Sequence, residues 1–271
     1  MFNIKFGFLR FFFIDFLFYL GRIKFINQKK GECMHIEPGM VIPPKVAMAN
    51  MAAVGVIGYY LRDWVSFKDI KKSILNLGRT ALAALWFLLM MQFLPHFPVG
   101  PSEWHMVSFL IMYLIFGFTP TLYGFAISLA IQATPIFEPQ DMVHLGINFL
   151  SLAVPLIIVH NIYKNKVWKI TTGDLSKSMT RDIKDGINYF DLVKIDTTYY
   201  VLMSLMVLFW LSWGGVLEHP AEGWLKFMSS YAINLVIEPL VTVVLVKTLL
   251  KFKDSYFINN YTTVKEIKCA C

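Results

Sequence analysis

Seven apolar runs follow residue 34, at 44–61, 80–94, 104–118, 121–134, 142–162, 196–213 and 228–247. Several approach the roughly 20 residues that carry a helix across a bilayer. Charged residues make up 16% of the 271-residue chain and hydrophobic residues 56%, too little charge and too much oil for a soluble domain of this length. The expected fold is all-α: a polytopic membrane bundle of about seven transmembrane helices, embedded in the lipid bilayer. Pro43-Pro44 suits a helix start, because proline lacks only an N–H that has no partner there. Thr119-Pro120 is expected to tie the third and fourth spans into a tight hairpin.

Orientation follows from the basic residues. Seventeen lysines and arginines fall in the stretches after the first, fifth and seventh spans, from Arg62 to Arg79, Lys164 to Lys194 and Lys247 to Lys268. Only Lys45 and Lys226 fall on the opposite side. The positive-inside rule then places Met34 outside and the C-terminus in the cytoplasm, with 164–195 a cytoplasmic loop of mixed charge. The net charge of +7 sits between spans and does not call for nucleic acid. Localisation is expected in the inner (plasma) membrane. The three cysteines, Cys33, Cys269 and Cys271, make no disulfide framework.

Three parts are expected: 1–33, an integral domain over 34–250, and a cytoplasmic tail over 251–271. Residues 1–33 break the charge pattern with six basic groups ahead of a segment that should be outside. They read as a mis-assigned start, a processed leader or an extra anchor. Lys29-Lys30-Gly31-Glu32-Cys33 lacks the small residues of a cleavage site. Lys-Gly-Glu can be encoded by AAA-GGA-GAA, which holds a ribosome-binding core before Met34.

If Met34 is the mature start, its α-amine, the His35 amide nitrogen and the His35 ring lie within one another's reach. His105, from elsewhere in the fold, offers a fourth nitrogen. Such a set favours Ni(II) or Cu(II) and can also hold Co(II). A backbone amide joins only by losing its proton, so binding should release protons and weaken at low pH. Against this stands the plain reading of His35 as a polar residue on an exposed terminus.

These residues resemble the CbiM/NikM family, the substrate-binding membrane subunits of energy-coupling factor transporters for cobalt and nickel. The marks run from Met34-His35-Ile36-Glu37-Pro38-Gly39 to Leu94-Pro95-His96-Phe97-Pro98-Val99-Gly100-Pro101-Ser102-Glu103-Trp104-His105. Phe116-Gly117-Phe118-Thr119-Pro120, Gly124, Asp141 and Gly146-Ile147-Asn148 continue them. The resemblance implies Met34, His35 and His105 as metal ligands, with Asn148 and Ser102 supporting or gating. It implies Co(II) or Ni(II) as cargo, with no catalytic cofactor. It also implies a membrane coupling subunit, cytoplasmic ATPases and a small accessory membrane subunit as partners. Two departures are the 33 residues ahead of Met34 and Trp104, where relatives often carry glycine.

Other residues have plainer readings. His96 and His144 are expected on the outer side in surface or packing roles, His160 as structural, His219 as solvated. Glu238 lies inside the seventh span, where a carboxylate is costly and faces protein or water. It either guides ions or bonds a neighbouring helix. Asp141 and Glu138 either attract cations or cap the fifth helix. Ala49-x-x-x-Ala53 and Ala126-x-x-x-Ala130 permit close helix packing, internal by default. Cys269-Ala270-Cys271 reads as an inert tail or a soft-metal trap. There is no Walker A sequence and no His-Glu-x-x-His helix, so neither ATP hydrolysis nor zinc proteolysis is expected. A metal sensor or a metal-dependent membrane enzyme remains the competing reading; cobalt and nickel stay undivided.

Overall fold

The computed structural model describes residues 36, 41–65, 69–94, 97–99, 102–135, 137, 139–167, 188–212 and 221–267. Met34, His35, His96, Glu138, His219 and the three cysteines lie outside them. The architecture is a helical membrane bundle. Its helices are α1 (Pro43–Trp64), α2 (Ile70–Phe93), α3 (Phe109–Phe116), α4 (Phe118–Gln132), α5 (Leu145–Val167), α6 (Tyr189–Leu211), α7 (Ala221–Ser230), α8 (Asn234–Leu250) and α9 (Tyr256–Tyr261). A short antiparallel ribbon, β1 (Phe97–Val99) with β2 (Ser102–Trp104), precedes α3 in the register Phe97↔Trp104 and Val99↔Ser102. Among the described residues four segments are long and apolar enough to cross a membrane: Ile70–Gln92, Leu145–Val167, Tyr189–Leu211 and Glu222–Leu250.

α3 is the central post. All eight of its residues are buried, and it packs against α2, α4, α6 and α8. A helix apolar all round belongs in such a place. It differs from the continuous span expected over 104–118. The ribbon takes the start of that range, 105–108 is non-helical, and the helix itself rises only about 12 Å. Ser108 turns into the helix with a left-handed φ of 56°. The start of this helix is met from another helix: Glu238 Oε1 accepts from the buried Leu110 N–H at 2.6 Å.

The break between α3 and α4 falls at Gly117, with φ 93°, rather than at Thr119-Pro120. A side chain is strained at that φ, so glycine belongs there. Pro120 sits in the first turn of α4, where its missing N–H costs nothing.

Other ends shift for identifiable reasons. α2 begins ten residues before the expected position 80, because the Asp69 side chain caps it at Lys72 N–H, 2.9 Å. Arg79, read as a loop cation, lies within that helix. Its guanidinium donates to the carbonyls of Asn260 (2.9 Å) and Thr262 (3.2 Å). The expected 164–195 loop narrows, since α5 runs to Val167 and α6 starts at Tyr189 with a capping box between Asn188 and Asp191. Lys166 and Asp191 join the two ends at 2.6 Å. The seventh segment, expected at 228–247, extends from Ala221 to Leu250 through a 3-10 turn at Tyr231–Ile233.

The chain after α8 folds back. Thr263 N–H donates to Ile115 carbonyl at 2.8 Å and its hydroxyl to Leu114 carbonyl at 2.9 Å, closing the C-terminus of α3. Those last carbonyls have no partner within α3 itself.

The close crossing of α2 and α4 uses Gly124 and Ser128, not Ala126 and Ala130. Ser128 Oγ donates to Ala84 carbonyl at 2.7 Å, and a Cβ on Gly124 would lie 2.9 Å from Ala83 Cβ. Ala49 and Ala53 are buried within the bundle.

Candidate functional site

His105 follows β2 directly, in the non-helical stretch that leads into α3, and is half-buried. Its carbonyl accepts from Asn234 Nδ2 at 3.2 Å. Asn234 is the first residue of α8 and is itself buried. α7 lies against both strands of the ribbon. One end of α8 thus holds the backbone from which the His105 ring projects.

Ser102 pairs through its backbone with Val99 in the same ribbon. Asn148 lies in the first turns of α5, buried, with its N–H bonded to His144 carbonyl at 3.0 Å. That end of α5 is pinned to α1. Asn50 Oδ1 accepts from Gly146 N–H at 2.8 Å and Asn50 Nδ2 donates to Val143 carbonyl at 3.2 Å. The approach is close enough that a Cβ on Gly146 would fall 2.6 Å from Asn50 Cα. Asn50 therefore caps the start of α5. Ile36, next to His35 in the chain, is buried in the core.

His144 is buried, with no hydrogen-bond partner at either ring nitrogen among the described residues. Burial pushes its pKa below the usual histidine range, against the opposing charge of nearby Asp141. His160 has the structural place expected of it: its Nδ1 meets Tyr113 hydroxyl at 3.0 Å and its ring stacks on Phe118. Among the described residues no three His, Cys, Asp or Glu side chains are grouped to hold a metal.

Lys45, expected as one of two cations on its side, has a role that the sequence reading did not assign. Its Nζ donates to the carbonyls of Phe209 (3.0 Å) and Trp210 (3.2 Å) at the end of α6. A lysine in the first turn of a helix opposes the macrodipole, which was the signal that it needs an outside partner. Here it meets the negative end of another helix. Side chains from other helices thus meet the start of α3 (Glu238), the start of α5 (Asn50) and the end of α6 (Lys45).

The buried central helix, its broken start and the long apolar helices around it define a polytopic helical membrane protein. The chain belongs to the CbiM family, whose model, the cobalt uptake substrate-specific transmembrane region, matches residues 35–256. A solved crystal structure of a truncated transition-metal transporter shares the fold, at 18% identity and a TM-score of 0.53, covering 81% of this chain and 99% of that one. No curated protein matches.

Proposed function

We propose that the protein is the substrate-capture membrane subunit of a cobalt or nickel uptake transporter, a transport component and not an enzyme. Co(II) or Ni(II) is its cargo. The observation that carries this reading is the family match across 35–256, which begins beside Met34 and includes His105. The proposed ligands are the Met34 amine, the His35 amide and ring nitrogens, and the His105 ring. Asn148 and Ser102 support or gate the site.

In this reading 1–33 is absent from the working protein, by initiation at Met34 or by processing, and 34–250 is the metal-binding domain. The metal enters from outside the plasma membrane. Movement is powered by partner subunits, a membrane coupling subunit and cytoplasmic ATPases, with a small accessory membrane subunit alongside. The Ile36 anchor in the core and the Asn234 bond to His105 support it, since each fixes backbone next to a proposed ligand.

The test is equilibrium binding and cellular uptake of radiolabelled cobalt and nickel by the wild type and by His105→Ala. Loss of both with normal membrane insertion is expected. Normal uptake in the variant refutes the site.

A further inference from the structure

A second polar site lies one turn deeper along α8 than Asn234. Glu238 is fully buried. Its Oε1 accepts from Leu110 N–H and its Oε2 from Tyr200 hydroxyl, each at 2.6 Å. Donors from α3 and α6 therefore fill both of its oxygens.

Asp196 is not so provided. It is 0% exposed, and neither carboxylate oxygen has a hydrogen-bond partner among the described residues. It stands three residues before Tyr199 on α6, on the same helix face. Tyr199 is also 0% exposed, and its hydroxyl likewise has no partner among the described residues. The tyrosine ring is held flat on Phe109, centroids 3.7 Å apart and planes 2° from parallel, at the start of α3. The Asp196 carboxylate and the Tyr199 hydroxyl lie within electrostatic reach of each other and of Glu238.

An unpaired buried hydroxyl costs about 1–3 kcal/mol and a carboxylate more, so two in one place ask for a ligand. Carboxylates at membrane depth ordinarily face one another, water or an ion path. We propose that Asp196 and Tyr199, with Glu238 behind them, bind one monovalent hard cation, sodium, inside the bundle. The donors are all oxygen, which suits a hard ion and not the nitrogen-seeking metals that His35 and His105 would hold. The charge count agrees. Glu238 is engaged by the positive end of α3, which leaves one carboxylate to be matched. The ion would brace α6 against α3 and α8.

The proposal stands apart from the outer metal site, and its test uses no transition metal. The full chain is exchanged into choline chloride in detergent micelles, then titrated with sodium chloride at constant ionic strength. Binding is read with radioactive sodium and stability from the unfolding temperature. Saturable binding of one sodium per chain and a rise in unfolding temperature are expected. Asp196→Asn should weaken binding by at least about tenfold, the scale of losing a charged partner, while the sodium-free unfolding temperature holds. Tyr199→Phe should weaken it several-fold and serves alone if the Asp196 variant does not fold. Sodium-indifferent unfolding with no saturable binding overturns the proposal, as does unchanged binding in either variant. An infrared band of a protonated carboxylic acid that is lost in Asp196→Asn and untouched by sodium in the wild type also overturns it, in favour of a proton.

Discussion

Asn234 donates to the backbone carbonyl of His105, 3.2 Å away, and so ties the first residue of α8 to the residue proposed to hold the metal. Asn234 touches backbone and not ring, so it acts as a positioning residue. Asn234→Ala should leave insertion intact and weaken cobalt or nickel binding by up to about tenfold, the worth of roughly one buried hydrogen bond. His105→Ala should abolish binding. Equal affinities in Asn234→Ala and the wild type would show that this bond does not position the ligand.

Gly146→Ala probes the crossing of α1 and α5. The new methyl would meet Asn50 Cα at 2.6 Å and Asn50 N at 2.7 Å, and backbone atoms cannot step aside. Overpacking of this kind costs about 1–3 kcal/mol, and the Asn50 cap would be displaced as well. Gly55→Ala and Gly58→Ala, which meet nothing within 4 Å, should be neutral or slightly stabilising. Thermal unfolding in detergent separates the two outcomes. A Gly146 variant as stable as the Gly55 variant would contradict the close approach.

The sequence foretold most where local chemistry decides. Pro43-Pro44 opens α1, and the long apolar runs become helices. It foretold least where distant parts complete one another. The run 104–118 looks like one helix, yet it breaks because Glu238, far along the chain, can satisfy the N–H groups of a late start. Arg79 looks like a loop cation because the carbonyls that receive it, at Asn260 and Thr262, belong to a segment read as a tail. Proline drew attention at Thr119-Pro120, but only the neighbouring glycine can take the φ of 93° that the turn demands. His105, Ser102 and Asn148 were legible as candidates from motif alone. The asparagines that hold the neighbouring backbone, Asn234 at His105 and Asn50 at the start of α5, were not, since a lone asparagine has no signature of what it will bind. Met34 and His35 lie outside the described residues.

His144 should make stability fall in mild acid. Its pKa is depressed by burial, so the unfolded chain binds the proton more readily than the folded one. The neutral-ring contribution is therefore complete above the unfolded value of about 6.5 and is lost as pH falls below it. Unfolding temperatures taken from about pH 8 down to about pH 5 should drop more for the wild type than for His144→Phe, whose ring carries no proton. Parallel curves would mean that His144 reaches water or a partner that keeps its proton affinity ordinary.

The orientation can be decided at two positions. Lys45 meets the carbonyls of Phe209 and Trp210, so the start of α1 and the end of α6 share one end of the bundle. Thr263 meets Leu114 and Ile115, so the chain after α8 lies at the C-terminal end of α3, where the broken pass led by His105 finishes. Lysines and arginines crowd the junctions of α1 with α2 and of α5 with α6, adjoining helix ends included, and the chain from the end of α8 onward, which the positive-inside rule assigns to the cytoplasm. Cysteine at Lys177 should then resist a membrane-impermeant thiol reagent in intact cells and react once the membrane is opened. Cysteine at exposed Val143, beside the start of α5, should react in both cases. Cys33, Cys269 and Cys271 are first replaced by serine so that only the new thiol is read. Ready labelling of Lys177→Cys from outside would invert the bundle and put the His105 end in the cytoplasm, where no uptake site belongs.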